Sequence, residues 1–290
     1  MNSKLLMSDA LHFSAEQPIN PYYYDSHTDT ELAQSEHDAI RNALTAAGVE
    51  VITTSSPSDS QDGVYTANWA LVRGEKAVLA RLPNVRKAEE AHAEAVLTSL
   101  GKDVVKVPEG LRFSGQGDAL MCGDYLFCGS GYRSDEAAQE FAANALGLQR
   151  IQLRTVPQLD ASGEPVVNPI SGWEDSFYYD IDLALAILRE PSAESPALIA
   201  YCKEAFTEES LRILESLPSD TFETITISEE EARNAFAANL VSTGSSVVMT
   251  STAPVLKLEL EQRGFTVYTP EVRELSKGGG YIRCTSLSIA

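Results

Sequence analysis

One order of elements recurs along this chain, namely a loop, one or two short strands, a helix and a further short strand, in units of about 50–60 residues. Residues 29–48 place Leu32, Ile40 and Leu44 on one side of a helical period and stop at Gly48, which predicts an amphipathic helix before the strand VEVITT. Beyond the loop SSPSDSQDG, the runs VYTANWALVRG and KAVLARLP predict consecutive strands, residues 87–100 a helix and VVKVP a strand. The next unit begins with GLRFSGQGDALMCG, read as a loop, and continues with the strand YLFCG, a helix at 134–147 and the strand IQLRTV. Residues 180–189 read as helical or extended, PALIAYC as a strand and 208–217 as a helix. A short helix in SEEEARNAF then leads to strands at 239–242 and 246–250, a helix in APVLKLELEQRG, the strand FTVYTP and a last strand, YIRCTSLSI.

Units of this size cannot bury an apolar face alone, and they can close around an axis so that each covers its neighbour. The same alternation of helix and strand also fits an open, doubly wound sheet. No GxGxxG or GxxxxGK[ST] motif opens a helix, which argues against a dinucleotide or P-loop enzyme.

The balance of 22 basic against 42 acidic residues, a formal charge of −20, repels phosphate backbones and anionic membranes, so neither nucleic acid nor membrane is an expected partner. An acidic surface suits a cationic small molecule. No stretch reads as a secretory signal or an apolar span, and the expectation is a soluble cytoplasmic protein, monomeric or homodimeric, in one domain over 1–290. Cys122, Cys128, Cys202 and Cys284 are too sparse for a disulfide framework, and the first three read as buried, inert thiols. No metal or cofactor is expected.

The segment Lys277-Gly278-Gly279-Gly280-Tyr281-Ile282-Arg283-Cys284 sets one cysteine behind three glycines, which allow a ligand close to the main chain. Cys284 is therefore the candidate nucleophile, with Arg283 beside it to favour the thiolate. All four histidines (His12, His27, His37, His92) lie in the first third of the chain, so a Cys–His pair would need long-range folding.

LLMSDALHFSAEQPINPYY, DGVYTANWALV, FSGQGDAL, GYRSDEA, SFYYDIDLALAIL and KGGGYIRCTSLSI, in this order over nearly the whole chain, resemble the guanidino-group-modifying superfamily of arginine deiminases, dimethylarginine dimethylaminohydrolases and amidinotransferases. The resemblance implies a five-bladed α/β propeller of ββαβ-like modules with a central cleft, the pentein fold. It also implies a cysteine, matching Cys284, that attacks the amidine carbon of a guanidino compound, with a histidine activating water and acidic side chains gripping the guanidinium.

On that resemblance the family's His-Leu-Asp triplet falls on Tyr178-Tyr179-Asp180, so Asp180 is kept and Tyr178 stands for the histidine. The loop Ser114-Gly115-Gln116-Gly117-Asp118 keeps Asp118 and has Ser114 in place of a glutamate, while Asn68 stands where several members have an aspartate. Arg133 suits a substrate carboxylate or a surface ion pair, and Trp69 a pocket wall or the core. A tyrosine is a poor base at neutral pH, and missing carboxylates weaken a guanidinium clamp, so ordinary deimination is not expected. Two readings follow: hydrolysis or group transfer on a guanidino, amidino or related amide by an atypical cysteine enzyme, or a catalytically silent binding or structural protein on the same fold.

Overall fold

The computed structural model describes residues 1–23 and 27–290, and in it the repeat becomes five three-stranded sheets. In the first, β1 (Lys4–Met7) lies parallel to β2 (Glu50–Thr53) after α1 (Thr30–Ala46) has crossed back. The second pairs β3 (Ala70–Arg73) antiparallel with β4 (Lys76–Leu79), and α2 (Ala88–Ser99) then returns the chain to a parallel β5 (Asp103–Lys106). The third repeats this with β6 (Ala119–Cys122), β7 (Tyr125–Ser130), α3 (Glu136–Leu146) and β8 (Gln149–Arg154). The fourth uses β9 (Leu185–Arg189), β10 (Ala197–Cys202), α4 (Glu208–Glu215) and β11 (Phe222–Ile227).

A short helix, α5 (Glu229–Ala235), leads into the fifth sheet of β12 (Val241–Ser242), β13 (Ser246–Val248), α6 (Pro254–Gln262) and β14 (Thr266–Tyr268). Finally β15 (Leu287–Ser288) adds antiparallel to β1, giving the first sheet the strand it lacked and closing the ring. An antiparallel neighbour needs only a turn and a parallel one needs a crossover, so the second to fifth modules each use one turn and one helix, while the first uses its helix and takes its antiparallel strand from β15. The fold is the five-bladed α/β propeller of ββαβ-like modules, and the open doubly wound alternative is excluded by the five separate sheets.

The first strands of the modules face the axis: β9 touches both β6 and β12, and β15 touches β3. Helices pack outside. α1 shows how the sequence places them: the Asp29 carboxylate accepts the Leu32 N–H at 2.9 Å as N-cap, and Ala33, His37, Ile40 and Leu44 form the buried stripe. Leu32, expected on that stripe, lies in the first turn and is 43% exposed. Within the described residues no helix is long and apolar enough to cross a membrane.

Three sequence expectations change. GLRFSGQGDALMCG contains β6, whose Ala-Leu-Met-Cys run is too short to stand out from its glycine-rich surroundings. TFETITI, not assigned from sequence, forms β11, with Phe222, Ile225 and Ile227 buried. YIRCTSLSI is a strand only at Leu287–Ser288, so Cys284 sits on the turn before β15, not within a strand.

Candidate active site

Each inner strand is entered by a tight turn at the same end of the axis, and those five turns carry Asn68 before β3, Asp118 before β6, Asp180 and Asp182 before β9, Asn239 before β12 and Cys284 before β15. Three are single turns of 3₁₀ helix, Thr66–Trp69, Gly115–Gly117 and Ile181–Leu183. Residues far apart in the chain thus meet because they occupy equivalent places in repeated modules. The side chains are buried, with Cys284 2% exposed, Asp118 2%, Asp180 0% and Asp182 1%.

The Cys284 turn is tied from several sides. Its carbonyl accepts the Ala67 N–H at 3.0 Å, and its own N–H donates to Asn239 Oδ1 at 3.1 Å. Asn239 Nδ2 donates to the sulfur at 3.1 Å, and Asp182 Oδ2 lies 3.4 Å from it. The preceding glycines are required by close approach: a Cβ on Gly280 would stand 2.4 Å from Tyr65 Cε1, and one on Gly278 2.2 Å from the Tyr65 hydroxyl. The Tyr65 hydroxyl donates to Leu275 O at 2.5 Å and that of Tyr179 to Gly279 O at 2.7 Å, so the run is pinned against aromatic rings. Farther out, Glu36 of α1 accepts the N–H groups of Arg273, Glu274 and Leu275 at 2.8–3.2 Å.

Asp182 touches this sulfur, Asp180 and Asp118 cluster with it, and each of the three keeps one buried oxygen without a partner: Asp118 Oδ2, Asp180 Oδ1 and Asp182 Oδ1. Asp180 Oδ2 accepts from Asn68 Nδ2 at 2.8 Å, and Asp118 Oδ1 accepts the Ile181 N–H at 3.1 Å. The direction of the Asn68 amide is fixed from behind. Arg86, itself buried and paired with Glu89 through two 2.8 Å bonds, donates to Asn68 Oδ1 at 2.9 Å, leaving Nδ2 to face Ser114 and Asp180.

Burial raises all four acidic groups. Asp118 and Asp182 are held well above the usual carboxylate range by burial and then by the neighbouring Asp180. Asp180 is raised by burial as well, against the opposing charge of Arg133 and the hydrogen bonds of Asn68 and Ser114. The Cys284 thiol is pushed well up by burial, Asp182 and Asp180. Arg283 acts on this pair by charge alone: its guanidinium donates to Ser286 O at 2.6 Å and Gln116 Oε1 at 2.7 Å, while its charge is felt by Asp182 and Cys284, and burial still leaves the thiol raised. Such a site favours the arrival of a cation: a positive group among these carboxyls lets them ionise and lowers the cost of a thiolate.

The sequence candidates divide. Cys284, Asp118, Asp180, Asn68 and Ser114 converge, Ser114 accepting from Asn68 Nδ2 at 2.9 Å. Arg133 is buried at the edge, stacked 4.2 Å over the Tyr179 ring and donating to Ile19 O at 3.1 Å, so the surface ion pair is excluded. Trp69 is core, fully buried with its Nε1 on Glu89 Oε2 at 3.0 Å. Tyr178 does not reach the sulfur. The chain turns at Phe177–Tyr178, which sends that hydroxyl toward the Cys202 thiol, and burial raises its pKa further. The triplet entering the site is Asp180-Ile181-Asp182, two residues on, with an acid at its first and third places.

Nor does a histidine replace it: His12 and His27 are exposed, His37 is buried on α1 and His92 bonds Ser55 O at 2.8 Å. Cys122, Cys128 and Cys202 are buried and unbridged, as expected, with burial pushing the Cys122 thiol up to about 12.

Asp182 and Asn239 were not anticipated from sequence. For Asn239 a signal exists, since Ala238-Asn239-Leu240 before β12 repeats Ala67-Asn68-Trp69 before β3. Among the described residues no group of three His, Cys, Asp or Glu side chains has the geometry to hold a metal ion.

Residues 16–169, just over half the chain, match the family model for N,N dimethylarginine dimethylhydrolase, eukaryotic. The N(G),N(G)-dimethylarginine dimethylaminohydrolase of Mycobacterium tuberculosis is 29% identical over 285 residues, covering 98% of this chain and 84% of that protein. The bifunctional arginine dihydrolase/ornithine cyclodeaminase ArgZ of Synechocystis sp. is 26% identical over 291 residues, 99% of this chain but 37% of its own length. This chain thus spans under two fifths of that bifunctional relative. Among solved structures, the N-terminal domain of ArgZ bound to product superposes with a TM-score of 0.84 at 26% identity, covering 99% of this chain and 97% of that one.

Proposed function

The chain belongs to the N,N dimethylarginine dimethylhydrolase family, and from that premise we propose that it hydrolyses a small cationic guanidino or amidino compound through Cys284. One observation carries this reading: the Cys284 sulfur touches Asp182 at 3.4 Å beside a cluster of three buried carboxyls, each with an oxygen free to bond a cation. A guanidinium offers a planar set of N–H donors to such oxygens, and the resulting charge-assisted bonds offset its desolvation. The names of the relatives, a dimethylarginine dimethylaminohydrolase and an arginine dihydrolase, support both the substrate class and hydrolysis.

With the cation seated, Asp182 takes the thiol proton, the sulfur attacks the amidine carbon, and the proton passes to the departing amine as the C–N bond breaks. Asn239 Nδ2, 3.1 Å from the sulfur, stabilises its negative charge. Water then adds to the amidino carbon, giving one proton to a carboxylate, and collapse breaks the C–S bond to release a urea. No imidazole is needed, because burial makes the Asp182 carboxyl a stronger proton acceptor than an ordinary one, and it lies against the sulfur to serve as the base.

The test is mass spectrometry of acid-quenched protein incubated with a panel of guanidino and amidino compounds. An adduct of amidino mass on Cys284, absent in Cys284→Ala and decaying with release of a urea, supports the reading. Absence of any adduct across the panel in a folded protein that still binds the compounds favours the silent binding protein.

A further inference from the structure

The inner strands begin at the catalytic turns and end at the opposite mouth of the axis, where a cavity of about 450 Å³ opens. Its outer wall carries Arg73, at the far end of β3, and Asp124, in the turn after β6. Its inner end is lined by Gln116, Arg283 and Asp182, the same Asp182 whose Oδ2 lies 3.4 Å from the nucleophilic sulfur. The other oxygen of that carboxyl, Oδ1, is buried and without a partner. Gln116 and Arg283 hold one another through a 2.7 Å bond and are anchored to Ser288 O and Ser286 O, so this floor is a fixed polar frame. On the cleft side, by contrast, Asp180 is roofed by Arg133 stacked on Tyr179 and bonded to Ile19 O.

We propose that this axial funnel is the route by which Asp182 exchanges water and protons with solvent while a substrate fills the cleft. The proposal rests on the hydrolytic reading above. A polar cavity of this volume holds several waters at roughly 30 Å³ each, and a carboxyl on its floor is a hydrogen-bond terminus for such a file. The proton balance requires an exit. Attack by the thiol on a guanidinium moves the thiol proton to the leaving amine and leaves a cationic amidino-sulfur adduct. Addition of water and loss of the urea then frees two protons: one returns to the sulfur, and the second, held by Asp182, leaves through the funnel to solvent. Asp182 lies between the two compartments and touches the sulfur, so it acts in both half-reactions.

The test plugs the funnel away from the cleft. Ala186→Phe, on β9, and Met121→Cys, on β6 and labelled with a bulky methanethiosulfonate, fill the channel from two walls; unlabelled Met121→Cys controls for folding. Two readouts apply. In the substrate-free protein, hydrogen–deuterium exchange of the protonated Asp182 carboxyl, identified by infrared difference against Asp182→Asn, is expected to slow at least tenfold in both plugged forms. With substrate, adduct formation, which needs the protonated Asp182 carboxyl to lose its proton as the cation arrives, and adduct breakdown are both expected to slow at least tenfold in the plugged forms and to stay within about threefold in unlabelled Met121→Cys. Unchanged exchange and unchanged breakdown in both plugged forms overturn the funnel. A protein whose exchange slows on plugging but forms no adduct keeps the funnel and sinks the hydrolase reading instead.

Discussion

Asn239 grips Cys284 at two points: its Oδ1 accepts the cysteine N–H and its Nδ2 donates to the sulfur, both at 3.1 Å. The amide orients the thiol along one direction and offers a positive edge to the charge that forms there. Replacement by alanine removes both functions. Asn239→Ala is expected to slow adduct formation about 10²–10³-fold, the usual effect of deleting a donor aimed at developing charge. The buried Cys284 N–H left without a partner should also cost about 1–3 kcal/mol, seen as a lower denaturation midpoint. Asn239→Ala labelling at the wild-type rate would show that the sulfur needs no such donor.

Tyr178 and Asp180 are two residues apart and serve different places. Tyr178→Phe is expected to leave turnover and adduct formation within about threefold, because its hydroxyl faces Cys202. Asp180→Asn, which removes a carboxylate facing the cleft, should reduce both at least 100-fold. Rate constants measured side by side on the two variants check this, and a large loss in Tyr178→Phe would restore tyrosine to the chemistry.

The buried carboxyls make stability depend on pH in a definite sense. Asp182 has a folded pKa well above its ordinary value of 3.8, so its contribution to stability is fully present below about pH 4 and is lost as pH rises through the folded pKa. Asp182→Asn removes that loss. The variant is expected to be more stable than the parent by about 1–3 kcal/mol at pH 8 and to lose this advantage toward pH 4, by urea denaturation at both values. An advantage larger in acid than in base would reverse the assignment.

The Arg86–Glu89 pair acts through Asn68. Both side chains are buried, and Glu89 also accepts from Trp69 and Ser60. Glu89→Ala leaves a buried guanidinium without its counter-charge and should cost about 3–5 kcal/mol in urea denaturation. Any folded fraction should also show weaker binding of a guanidino compound, because Asn68 no longer has a fixed direction. Equal affinity in that fraction would mean that Asn68 is oriented by other contacts.

Gly117 tests the packing behind that contact. A Cβ there would lie 2.4 Å from Asn68 Nδ2 and 2.7 Å from Asp180 Oδ2, so Gly117→Ala should part the two and reduce affinity for a cationic ligand at least tenfold by calorimetry. Unchanged affinity would show that the amide–carboxylate contact does not shape the site.

The sequence alone determined the modular order and singled out the candidate nucleophile. Alternating strand and helix signals depend on local periodicity, and three successive glycines before Cys284 mark a close main-chain approach that any fold must accommodate. It missed β6 and β11, one short and glycine-flanked, the other polar on its outer face, because neither carries a long apolar run. What tertiary structure decided was direction. Whether Tyr178 or Asp182 reaches the sulfur depends on a turn at 177–178, and whether Arg283 faces Cys284 or Gln116 depends on partners 167 residues away in sequence. Residue identities fix what chemistry is available, but side chains meet only where five repeated turns converge on one axis, and that convergence comes from closing β15 onto β1.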